Sequence, residues 1–304
     1  MEPSAETQRL RLALLGPRDA PNEDRQKAAY MLREHALTLV DRALAGAGLD
    51  AMLVKGAALA PELYAPPWSR AMGDIDLLVR EGQRDRVLAA LEAGGFVRIA
   101  AEDDRPLTRD AFGETALEGP LGVLVEVHTG LDKMVARPVD YAAIFACAKA
   151  AAGLARLVVP SREDHAILVA IHTAGHELRH PIGLLDLHLL LEAGLSIPTL
   201  LERAERFGAR TAMFVALSTL RSLGTKTAPT SLCAQFDPGS LRRRAIACFY
   251  DLDAYPPARG AMRLGLPWVL RQTPLRDDLA GWTLGLARFS ALRATELIAA
   301  RLRG

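Results

Sequence analysis

The stretch RAMGDIDLLVR, residues 70 to 80, sets two aspartates one residue apart, after a glycine and ahead of an apolar run. In an extended strand residues i and i+2 point to the same face. Asp74 and Asp76 therefore share a face while Ile75 turns to the other side. A desolvated carboxylate is costly unless compensated, and two close together also repel. A divalent cation compensates both at once, so the reading of DIDLLV as a strand decides both the fold and the chemistry.

The flanks support a strand. Upstream, AMLVKG is a short apolar run ending at Lys55-Gly56, AALAPELY reads as a helical turn or two, and APPWSRAMG is a loop by its prolines. From Asn22 to Leu49 the pattern is helical, with Ala29, Leu32, Ala36, Leu39 and Ala43 three or four apart. Downstream, EGQRDRVLAALEAGG predicts an amphipathic helix stopped by Gly94-Gly95, and FVRIA a strand. A polar segment at 101–120 separates it from LGVLVEVHTG, whose Val123, Val125 and Val127 alternate with Leu124, Glu126 and His128. That makes roughly four strands and two helices between residues 51 and 130. After residue 138 strand signals nearly vanish, and helices are expected at 140–152, 161–179, 182–194, 198–223, 240–250 and 278–302. The expected fold is α+β: an N-terminal helical segment at 1–50, a small mixed-sheet α/β domain at 51–138 and a helical domain at 139–304.

Half of the 304 residues are hydrophobic and 24% are charged, which excludes a disordered chain. The formal net charge of +1 provides no global field for nucleic acid or an anionic membrane, and no DNA partner is expected. Cys147, Cys233 and Cys248 are odd in number and far apart, fitting neither a disulfide framework nor a zinc spacing. The N-terminus lacks the apolar core of a signal peptide, and the most apolar window, GLLDLHLLLEAGL, is broken by Asp186, His188 and Glu192. The expectation is a cytoplasmic protein that does not enter membranes.

If the strand bearing Glu126 neighbours that bearing Asp74 and Asp76, three carboxylates meet above one sheet. Two divalent cations about 4 Å apart, shared by such a set, bind a triphosphate and activate an attacking hydroxyl. Mg²⁺ is the default for hard oxygen ligands. The competing reading makes Asp74 a turn cap, Asp76 a surface ion pair and Glu126 a solvated side chain. The chain holds its own control, because DLDAYPP at 251–257 also contains D-x-D. That pair follows a helix and runs into Pro256-Pro257, so it reads as a loop feature with no chemistry.

The stretch MLVKGAALAPELYAPPWSRAMGDIDLLV, followed by VEVHTGLD and ILVAIHTAGHELRHPIGLLDLHLLL, resembles the uncharacterised bacterial nucleotidyltransferase family NTP_transf_5 of the DNA polymerase β-like superfamily. The resemblance spans residues 25 to 225, with 51–130 the most specific part. It implies a minimal nucleotidyltransferase fold with Asp74 and Asp76 as metal ligands and Glu126 as the third carboxylate, holding Mg²⁺ or Mn²⁺ with an NTP as co-substrate. The superfamily's Gly-Ser pair after the first strand is replaced here by Lys55-Gly56. Gly56 allows close backbone approach, and Lys55 offers an ammonium to a phosphate. Arg70 and Gly73 complete the phosphate-binding set, Arg70 as a guanidinium able to brace a phosphate bidentately; its rival role is a surface pair with Glu62. The acceptor stays open between a small molecule, a protein side chain and an RNA end. Alternatives are a D-x-D metal-dependent glycosyltransferase and a catalytically silent nucleotide-binding module of the same fold.

His128 shares a face with Glu126 and is placed to tune that carboxylate. His172 and His176, four apart on the helix that begins at SRED, flank its stripe of Ile167, Leu168, Ile171, Ala174 and Leu178. They are candidates for the acceptor side. The H-E-x-x-H arrangement is absent, and Pro181 disfavours helical geometry at His180, so structural or substrate-contacting roles are favoured over a metal site. Asp186 reads as an interhelical ion-pair partner. LRRRA at 241–245 and the arginines at 288, 293, 301 and 303 read as solvated helix faces.

Overall fold

A computed structural model describes residues 3–16, 20–99, 114–132, 137–260 and 266–303. Most of the polar segment expected at 101–120 lies outside the described residues. The chain divides into two compact units. One takes the described residues within 19–136, 141–161 and 283–304, and the other those within 1–18, 137–140 and 162–282.

The first unit is built on a seven-stranded mixed sheet in the order β3-β4-β5-β2-β1-β7-β6. Its strands are β1 (Ala51–Val54), β2 (Asp74–Leu78), β3 (Val97–Arg98), β4 (Glu114–Glu118), β5 (Leu124–His128), β6 (Lys149–Ala150) and β7 (Leu157–Val159). β2 lies between β1, to which it runs antiparallel, and β5, to which it runs parallel. A strand so enclosed needs apolar residues on its core face, and Ile75 and Leu77 are fully buried there with Val125, Val127 and Leu53.

α2 (Ala20–Ala47) and α4 (Arg84–Ala93) cover that face. The stripe that α2 buries is Ala36, Leu37, Val40 and Leu44, with Leu39 and Ala43 at its margin. Leu32, expected in the stripe, is exposed, so the inward face of α2 is turned relative to the sequence reading. α4 buries Val87, Leu88 and Leu91, and the chain leaves it through Gly95 at φ 90°, a conformation glycine adopts without penalty. The sheet draws on more chain than 51–138. Three strands are additions to the sequence reading: β4 forms inside the segment taken as polar, and β6 and β7 extend the sheet beyond residue 138. β6 and β7 are too short to carry a periodic signal.

The second unit is helical: α1 (Ala5–Leu15), α6 (Arg162–Gly175), α7 (Pro181–Glu192), α8 (Ile197–Arg206), α9 (Arg210–Ser222), α10 (Thr230–Gln235), α11 (Ser240–Ala247) and α12 (Leu266–Gln272). α5 (Tyr141–Ala146) belongs to the sheet unit, and α13 (Leu279–Arg303) closes the chain. The helix expected at 198–223 is two helices, separated at Gly208, whose φ is 59°. α6 is buried on nearly every side, as are the contacting faces of α7 and α9. Buried polar groups here include Asp164, which faces Arg203 at 3.6 Å, and His188, which lies between Thr7 Oγ1 at 3.0 Å and Thr227 Oγ1 at 2.8 Å. No helix of the described residues is long and apolar enough to cross a membrane.

Candidate functional site

The site lies on the sheet face opposite Ile75 and Leu77. Register decides its composition, since residues paired across neighbouring strands share a face. Asp76 pairs with Glu126 on β5 and with Val54 on β1, and Leu78 pairs with His128. On the far side of β5, Glu114 of β4 pairs with His128. Asp74, two residues before Asp76, projects from the same side of β2.

Asp76 is almost fully buried, and two cationic groups meet its Oδ1. Lys55 Nζ donates from 2.6 Å, and His128 Nε2 lies 2.9 Å away. With a carboxylate as acceptor, that ring nitrogen carries the proton. His128 Nε2 is also 3.5 Å from Glu126 Oε2, and its Nδ1 is 3.9 Å from Glu114 Oε2. Burial alone pushes Asp76 toward the neutral acid, but the His128 hydrogen bond and the Lys55 charge outweigh it and hold the carboxyl below its ordinary value. Burial likewise depresses His128, and its bonds to Asp76 and Glu126 reverse this and raise it. Asp74 goes the other way: burial first, then the charges of Asp76 and Glu126, push it up. The repulsion among Asp74, Asp76 and Glu126 is one that a bound cation would relieve.

Among the described residues, Asp76, Glu126 and His128 are the group that brings one donor atom each within 4.8 Å of one another. The oxygens of Asp76 and Glu126 suit a hard divalent ion, and His128, as a proton donor to Asp76, braces the pair rather than ligating. Asp74 is not in that closest trio, although it is near enough to feel both carboxylates. His128, expected only beside Glu126, sits at the centre of the acidic group.

The remaining expected residues surround this centre. Lys55 begins α3 (Lys55–Leu63) at φ 53°, a left-handed conformation costing a non-glycine residue about 1–3 kcal/mol, and its Nζ donates to Asp76. Gly56 follows for a steric reason: a Cβ there would lie 2.6 Å from Met72 Cγ and Sδ and would collide with the Arg70 guanidinium. Arg70 is therefore buried against the Lys55-Gly56 turn rather than spread on the surface. At Gly73 a Cβ would meet nothing within 4 Å, so packing does not require glycine there.

Two participants escaped the sequence reading. Arg33 of α2 donates to the Met72 carbonyl, and burial lowers its guanidinium against the raising charge of Asp74. No local signal marks an arginine on a long helix for this position. Glu114 lay in a stretch read as polar spacer, and only strand pairing brings it to His128.

His172 and His176 belong to the other compact unit. With His180 they form a cluster, which the doubt about helical geometry at His180 did not anticipate. His180 is indeed not helical, at φ −95° and ψ 92°, but the turn before it folds the ring back. The second D-x-D, Asp251 and Asp253, is exposed in a turn, where Asp251 Oδ1 accepts from the Asp253 amide at 3.2 Å. In LRRRA, Arg242 pairs with Asp277 at 3.0 Å and Arg243 with Asp237 at 2.5 Å, in keeping with a structural helix face.

No curated protein and no solved structure matches the chain. A family model described as "Uncharacterised nucleotidyltransferase" matches residues 21–224. A match over that share of 304 residues, with an acidic sheet face suited to a divalent ion inside it, means that the chain belongs to the uncharacterised nucleotidyltransferase family.

Proposed function

We propose that the protein transfers an NMP from an NTP to an acceptor hydroxyl, on a nucleotidyltransferase domain of the DNA polymerase β-like type. The observation that carries this reading is the side-by-side register of Asp76 and Glu126 on parallel strands, with Asp74 on the same face of β2. Asp76 and Glu126, with Asp74 beside them, would hold Mg²⁺ or Mn²⁺. The bound cation supplies charge neutralisation for the triphosphate and lowers the pKa of the attacking hydroxyl.

The chain's own residues have distinct tasks. His128 and Lys55 keep Asp76 ionised and fix its orientation, a prerequisite for a precise site in a buried location. Lys55 also places an ammonium beside the phosphates, and Arg70 is held by the Gly56 turn as the guanidinium on the phosphate side, with Gly73 leaving room near β2. Glu126 accepts the acceptor proton. The acceptor oxygen then bonds to the α-phosphorus, the bond to the β-phosphate bridging oxygen breaks, and pyrophosphate leaves with the electron pair. Acceptor candidates are a small molecule, a protein side chain or an RNA end. Family membership favours nucleotidyl over glycosyl transfer.

The test incubates the full chain with each α-labelled NTP, Mg²⁺ or Mn²⁺, and cell extract fractionated into metabolites, proteins and RNA. Label in one fraction, with matching pyrophosphate release, is the expected result. Equal labelling by the Asp76→Asn protein would refute the reading.

A further inference from the structure

The helical unit holds a second cluster of metal-capable side chains. His172 stands on the last turn of α6, His176 in the turn beyond it, and His180 immediately before α7. Their ring centres are 4.5 Å apart for His172–His176, 5.2 Å for His172–His180 and 5.5 Å for His176–His180. All three are half-buried.

The turn that gathers them is strained and firmly held. Glu177 and Leu178 are both left-handed, at φ 56° and 59°, a conformation costing each about 1–3 kcal/mol. Gly175, which would adopt it freely, stands two residues earlier without it. Both strained residues are fully buried. Glu177 Oε2 accepts from Arg271 Nη1 at 3.0 Å and faces Arg179 Nε at 3.4 Å. The carbonyls ending α6 are bound from outside: Gln272 Nε2 donates to Ala174 O at 3.0 Å, and Trp268 Nε1 to Gly175 O at 3.4 Å. The Leu178 amide returns to Thr173 O at 2.8 Å. Backbone strain at buried, over-determined positions is characteristic of functional constellations. Here it serves to bring His180 to a pair of histidines one helical turn apart.

We propose that His172, His176 and His180 form a second metal site, taking one zinc-class divalent transition-metal ion and leaving a coordination position open. A neutral imidazole offers one lone pair, and three around a borderline-soft ion are an established donor set for open zinc sites. With Zn–N near 2.1 Å, three rings radiating tetrahedrally from one ion have centres about 5.3 Å apart. The three observed separations bracket that figure. The nitrogens as placed do not all fall within the 4.8 Å found for the sheet trio. A half-turn of a ring about Cβ–Cγ exchanges nitrogen and carbon positions while leaving the centre nearly in place, and ring orientation is set by the partner bound. The all-imidazole set also separates this site from the carboxylate-rich sheet face, which suits harder ions.

The test uses the full-length Asp76→Asn chain, stripped with a chelator, so that the sheet face is weakened as a competitor. Titration with Co²⁺ should give visible absorption typical of tetrahedral nitrogen coordination, saturating at one equivalent and abolished by one equivalent of Zn²⁺. His172→Gln, His176→Gln and His180→Gln should each weaken Zn²⁺ by more than the roughly 10–100-fold that losing an outer partner costs. X-ray absorption on the Zn²⁺-loaded protein needs no change in the cluster and should count three imidazoles. Two or fewer imidazoles, no saturable Co²⁺ signal, or a spectrum unchanged in any of the three variants would overturn the proposal. Nucleotide transfer by the wild type with Mg²⁺ is a separate readout, so either reading can fail without the other.

Discussion

The chain contains two D-x-D pairs of identical spacing and opposite character. Asp251 and Asp253 are exposed in a turn, and Asp253 faces Arg221 at 3.8 Å. Asp74 and Asp76 lie on a strand enclosed on both sides, where Asp76 meets Lys55 and His128 and lies beside Glu126. In water a pair of carboxylates is stable by itself. On a desolvated sheet face the same pair raises Asp74 by burial and repulsion and requires cations to balance it. The motif's chemistry therefore belongs to its surroundings.

The largest effect that would break this comparison is at Asp76. Asp76→Asn should lower nucleotidyl transfer by about a thousandfold or more, with circular dichroism unchanged, because it removes a charge that the site exists to balance. Activity within tenfold of wild type would make the two D-x-D pairs equivalent. Gly56→Ala comes next. It must displace Met72 and Arg70, so a loss of about 1–3 kcal/mol in stability is expected by thermal melting, while Gly73→Ala should melt like wild type.

The third effect depends on pH. His128 has a folded pKa above its ordinary 6.5, so the stability it adds is complete below 6.5 and fades as pH rises through the raised value. Asp76 has a folded pKa below its ordinary 3.8, so its share is present above 3.8 and is lost as pH falls through the lowered value. In chelator-treated protein, the stability gap between wild type and His128→Gln should be widest between these limits and narrow on the alkaline side. A gap that grows from pH 7 to 9 would remove His128 from its role as a cationic partner. The smallest effect sharpens the contrast from the other end. Asp251→Asn with Asp253→Asn should leave activity unchanged and stability within about 0.5 kcal/mol, as for exposed side chains.

Much of the sheet unit was legible because its signals are local. DIDLL, LVEVH and AMLV announce strands through side-chain alternation or continuous apolar character, and VLAALEAGG announces a helix and its stop. The misses have physical causes. β6 and β7 have two and three residues, too few for a period. The rotation of α2 that exposes Leu32 comes from packing on α4 and the sheet, not from the helix's own composition. Proline before a helix correctly ruled out helical geometry at His180, but it could not reveal that Glu177 and Leu178 would take left-handed conformations and return the ring to His172 and His176.

By itself the sequence determined that Asp74 and Asp76 share one face of a strand whose other face is apolar, because strand alternation is a property of the local chain. Only the tertiary structure decided that Glu126 stands opposite Asp76, that Lys55 and His128 meet on one oxygen, and that Arg33 and Glu114 join them. Those neighbours are remote in sequence, Lys55 being 21 and His128 52 residues from Asp76, and a one-residue slip in strand register would turn the sheet's partners to the opposite face.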